Sequence, residues 1–126
     1  MSGIPDFNDT ELWLARSVLT ERYGKAVALE LADSELRLDP ESTVLTVCPT
    51  LFWSERAANF VVFKIGEGRY RCQFFYGPNE QYGTGRDSYA DIAECVTHVL
   101  QLQADHESRE GFVPRPNPRP NLRDRT

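Results

Sequence analysis

The spacing of apolar side chains divides the chain into a helix, a run of short strands and a second helix. Leu12, Ala15, Leu19 and Tyr23 recur at the three- and four-residue intervals of one helical face. The punctuation agrees with that period. Asn8 is a good N-cap, Glu11 stands three positions on as a capping box requires, and Phe7 and Leu12 hold the staple positions. Gly24 offers a left-handed stop, and Arg22 and Lys25 suit the negative end of the helix dipole.

From Lys25 the period shortens to two. Val27, Leu29 and Leu31, then Leu36 and Leu38, predict two short strands separated by a turn at Ala32-Asp33-Ser34, with the next turn at Asp39-Pro40. The β-branched stretch from Thr43 to Cys48 predicts a further strand, stopped by Pro49. Asn59 to Ile65 and Arg69 to Tyr76 flank Gly66-Glu67-Gly68 and read as a hairpin. In its second arm Tyr70, Cys72, Phe74 and Tyr76 share one face while Arg69, Arg71 and Gln73 share the other, so one face is expected on a core and one in water. A loop from Gly77 to Asp87 leads to a second helix, with Ser88 as its cap and an apolar stripe of Ile92, Cys95, Val96, Val99 and Leu102 that fades near Glu107.

The expected fold is therefore α+β: an antiparallel meander of about four to five strands, flanked by an N-terminal and a C-terminal helix packed on one face. A single domain is expected over residues 1–110. The segment from Gly111 to Thr126 has four prolines and little apolar surface, and is expected to be a disordered Pro/Arg-rich tail. With 126 residues, 40% of them hydrophobic, the chain has room for one core that needs neither metal nor disulfide.

Charge narrows the partners. Up to Glu110 there are ten Lys or Arg against eighteen Asp or Glu, a net of −8, whereas the last sixteen residues carry four Arg against Asp124, a net of +3. An acidic body without a basic face repels phosphate backbones, so direct nucleic-acid binding by the folded body is not expected. Cys48, Cys72 and Cys95 are widely spaced and odd in number, which suits free thiols in a reducing cytoplasm better than a disulfide framework. The start, Met1-Ser2-Gly3-Ile4-Pro5-Asp6, lacks the basic and apolar regions of a signal peptide. The apolar runs are short and fall far below the about twenty residues of a membrane span.

Candidate chemistry is sparse. The only histidines are His98 and His106, neither in a nucleophile motif, and no Gly-x-Ser-x-Gly is present. No catalytic residue and no cofactor is expected. Cys95 and His98 share a helical side, but two ligands without a converging pair make half a zinc site, so no metal is expected either.

Two segments stand out. Tyr82, Gly83, Gly85 and Arg86 belong to a glycine-rich connection that feeds a helix N-terminus, where free amides and the dipole favour anions. That connection lacks the Lys-Ser/Thr ending of a P-loop, and Glu80, Asp87 and Asp91 crowd it with negative charge. Phe52, Trp53 and Arg56 lie in a stretch after Pro49 that reads as a loop or short edge segment, and they are residue types that dominate protein interfaces. The function expected is that of a small acidic cytosolic accessory or inhibitor protein that binds another protein. The alternative is a small-ligand or anion-binding protein, or an enzyme, using the glycine-rich loop; a homodimer formed through the sheet is the third arrangement.

Overall fold

In a computed structural model of the protein, residues 4–55, 57–77 and 81–110 are described, and the tail lies outside them. Seven elements follow one another: α1 (Asp9–Tyr23), β1 (Glu30–Leu36), β2 (Thr46–Glu55), β3 (Ala58–Gly66), β4 (Arg69–Phe75), β5 (Gln81–Gly83) and α2 (Ile92–Glu110). The five strands form one antiparallel sheet in the order β1-β2-β3-β4-β5, each paired with its neighbour in sequence. This is the expected α+β meander between two helices.

Local signals set α1 as anticipated. The Glu11 amide donates to the Asn8 side chain at 2.8 Å and the Asn8 amide donates to Glu11 Oε1 at 2.7 Å, a complete capping box. Gly24 ends the helix with φ 71°, where a Cβ would be strained.

The core lies between one sheet face and the two helices. Leu51, Trp53, Phe60, Val62, Tyr70, Cys72 and Phe74 alternate along β2, β3 and β4 and meet Ala15 and Leu19 of α1 and Cys95, Val96 and Val99 of α2. The opposite face does not simply face water. Cys48, Val61, Phe63 and Ile65 are buried there, packed with Ile4, Leu36, Leu38, Phe52 and Phe75, because the chain after β1 folds Leu38 back onto that face.

Four boundaries differ from the sequence reading, each through a long-range contact. Ala32, Asp33 and Ser34 are no turn but the middle of β1, paired with Thr50, Pro49 and Cys48, with Thr50 Oγ1 donating to Ser34 Oγ at 2.8 Å. Pairing with β2 overrides their local preference. Pro49 does not stop β2, which continues to Glu55. The β2–β3 register begins at Thr50 opposite Phe63, so at Pro49 only β1 lies alongside and the missing N–H costs no rung toward β3. The connection after β4 contains the short strand β5. Finally, α2 starts at Ile92, not after Ser88. Tyr89 is diverted into a two-bond bridge with Tyr70, at 2.9 and 2.7 Å, which holds it in extended backbone. Asp91 becomes the cap, accepting from the Ala93 amide at 2.8 Å and the Glu94 amide at 3.4 Å.

Candidate functional site

The residues singled out from the sequence do not converge. Trp53 is 1% exposed, stacked on Phe60 with ring centroids 5.2 Å apart, and its burial removes it as a surface anchor. Phe52 is half-buried on the opposite face, beside the Cys48–Phe63 cluster. Both lie in the second half of β2, where alternation sends neighbouring side chains to opposite faces of the sheet. Arg56 lies outside the described residues.

In the glycine-rich connection Tyr82 and Arg86 are likewise committed to internal contacts, whereas Gly83 and Gly85 face open space. Tyr82 stacks on Phe74 at 5.2 Å and lies 4.5 Å from the His106 ring. Arg86 pairs with Glu94 at 3.2 Å, donates to the Ser88 carbonyl at 3.3 Å and covers the Tyr89 ring at 4.1 Å. The first free amides of α2 are satisfied by Asp91, so that helix end is filled by its own carboxylate. His98 meets the Tyr89 hydroxyl, while Cys95 lies against Cys72, whose Sγ is 3.4 Å from the Cys95 carbonyl. Among the described residues no three metal-ligating side chains come together.

Exposed apolar surface collects elsewhere. Leu31, Val44, Leu45 and Val47 are between 52% and 68% exposed, on β1, at the start of β2 and in the connection between them. Leu31 pairs with the core residue Leu51, and Val47 follows Leu51 at even spacing along β2, so both face the helix side of the sheet. α1 and α2 cover β2 to β4 there but leave this border open. A groove of about 300 Å³ runs beside it, lined by Asp6, Phe7, Leu31, Ala32, Asp33 and Pro49.

Among the described residues β1 is also an end strand of the sheet and pairs with β2 alone. Its outer edge therefore presents backbone donors and acceptors ready for another strand. Glu30, Asp33 and Glu35 are exposed along it. Leu31 and Val47 were legible in the sequence only as strand hydrophobics; their exposure depends on where the helices stop.

The described residues together define a small α+β protein whose β1 edge is acidic and unpaired among them. No family model matches the chain, and neither a curated protein nor a solved structure matches it. No helix among the described residues is long and apolar enough to cross a membrane.

Proposed function

We propose that this protein is a cytosolic accessory or inhibitor protein that binds another protein, taking up an extended basic segment of it along the edge of β1. The observation that supports this reading is the coincidence of an unpaired strand edge with the exposed side chains of Leu31 and Val47. A strand added to β1 gains main-chain hydrogen bonds, and its alternate side chains reach the shelf formed by Leu31, Asp33 and Glu35. Apolar residues of the segment suit Leu31 and Val47; basic ones suit Glu30, Asp33 and Glu35. A second copy of this chain is the weaker occupant, because antiparallel self-pairing centred on β1 would set Asp33 against its own copy and bring two acidic edges together.

One feature agrees with the rest of the reading: Cys48, Cys72 and Cys95 are buried free thiols, as a reducing compartment would keep them. The test uses a ten-residue peptide in which threonine alternates with valine and lysine taken in turn, so that both kinds reach the face of Leu31, Asp33 and Glu35; the same peptide with glutamate for lysine is the control. The first should bind saturably and protect the β1 amides from hydrogen exchange, and Leu31→Glu or Val47→Glu should weaken it at least tenfold without lowering Tm. Equal binding of both peptides, or binding indifferent to both substitutions, would remove the proposal.

A further inference from the structure

We propose that the cleft between the β1–β2 connection and the β5–α2 connection is a binding site for a small organic phosphomonoester. It lies on the sheet face opposite the helices, away from the β1 groove, and does not depend on the protein-binding reading. Its volume is about 450 Å³, within the roughly 300–1,000 Å³ range of sites for small organic ligands. Arg37, Leu38 and Pro40 form one wall, Arg71 and Gln73 of β4 contribute the floor, and Gly83-Thr84-Gly85 leads along the other wall.

Charge is the reason to choose an anion. In a body of net −8, this cleft gathers Arg37, Arg71 and Arg86 against one carboxylate, Asp87, among the described lining residues. Arg86 is spent on Glu94 and the Tyr89 ring, so the two remaining guanidinium groups are the ones that matter. Arg71 is half-buried, and its Nε donates to the Asp87 carbonyl at 2.9 Å. That bond ties β4 to the far wall and fixes the guanidinium while leaving both terminal nitrogens, the fork that grips two oxygens of one oxyanion. Arg37 is exposed, and neither it nor Arg71 makes an ion pair among the described residues. At Gly83 and Gly85 open space lies where a side chain would stand, so the backbone there is uncovered.

The ligand class follows from the count of groups. A phosphomonoester carries about −1.5 to −2 charges at neutral pH and three acceptor oxygens, enough to engage two guanidinium forks at once. A carboxylate offers one charge and two oxygens. Leu38 and Pro40 give an apolar surface for the organic part of an ester, which inorganic phosphate cannot use.

The test is an NMR titration of the full chain at constant ionic strength with phenyl phosphate, inorganic phosphate and benzoate. Phenyl phosphate should shift the amides of residues 83–87 saturably and more tightly than the other two. Arg37→Ala and Arg71→Lys should each weaken it about tenfold or more, the usual cost of losing a charge-assisted hydrogen bond. Asp87→Asn should tighten it by removing an opposing carboxylate. Should Arg71→Lys lower Tm, the exposed positions Arg37 and Asp87 decide the matter alone. A response that benzoate or chloride reproduces, one that ignores both substitutions, or none at millimolar phenyl phosphate would overturn the proposal.

Discussion

Lys64 sits in the middle of β3 with its side chain only 3% exposed, and what it meets there makes a sharp prediction. Its Nζ lies 3.0 Å from Glu11 Oε1 and donates to the Asp6 carbonyl at 3.0 Å, while the Tyr70 hydroxyl donates to the other Glu11 oxygen. Burial alone would raise the Glu11 carboxyl, but the bonds from Tyr70, the Asn8 amide and Lys64 more than offset it and hold its pKa below the usual 4.5. Lys64→Met leaves that carboxylate buried without its cation. Breaking a buried pair from one side costs about 3–5 kcal/mol, a large part of the roughly 5–15 kcal/mol a domain possesses. Adding Glu11→Leu removes the stranded charge, so the double variant should recover part of the loss, held short by about 1 kcal/mol for the forfeited capping-box bond and about 1–3 kcal/mol for the Tyr70 hydroxyl left without its acceptor. Urea unfolding of the four proteins at pH 7 measures the cycle. Acidification gives a second readout. A carboxyl with a depressed folded pKa stabilises above its unfolded value near 4.5 and loses that contribution as pH falls below it, so wild type should lose stability there more steeply than Glu11→Gln. If Lys64→Met unfolds within about 1 kcal/mol of wild type, the cluster contributes little and this reasoning fails.

Burial of Trp53 predicts a loss of about 3–5 kcal/mol for Trp53→Ala; Trp53→Phe should cost less, since it also removes a buried Nε1 that has no hydrogen-bond partner among the described residues. With Trp13 replaced by Phe, emission should be blue-shifted and poorly quenched by acrylamide, because Trp13, at 65% exposure, is the indole in water. Ala57 turns the chain between β2 and β3 with φ 72°, a conformation that strains a Cβ, so Ala57→Gly should raise the unfolding free energy by a few tenths to about 1 kcal/mol. Cys48, Cys72 and Cys95 should react with a thiol reagent slowly in the native state and fast in denaturant. Burial pushes the Cys48 thiol up, and the contact with Cys72 does the same to Cys95.

Elements whose signals are local are legible in the sequence. The Asn8–Glu11 box, the Gly24 stop and the stripe from Ile92 to Val99 act within a turn or two of backbone, and the hairpin between β3 and β4 needs only alternation and Gly68 with φ 68°. From these the α+β class and the order of helix, meander and helix follow. Tertiary structure decided what depends on a distant partner. Pairing with β2 carried β1 through Asp33 and Ser34, and the bridge from Tyr70 to Tyr89 delayed the second helix until Asp91 could cap it. The candidate sites moved for the same reason. Alternation along β2 put Trp53 inward and Phe52 on the other face, and Glu94 and Tyr89 took up Arg86. Leu31, an ordinary strand hydrophobic in sequence, became surface because α1 and α2 pack over other strands of the sheet. Arg37 and Arg71, far apart in the chain, came to line one cleft. A period marks which side chains share a face; only packing settles what, if anything, covers it.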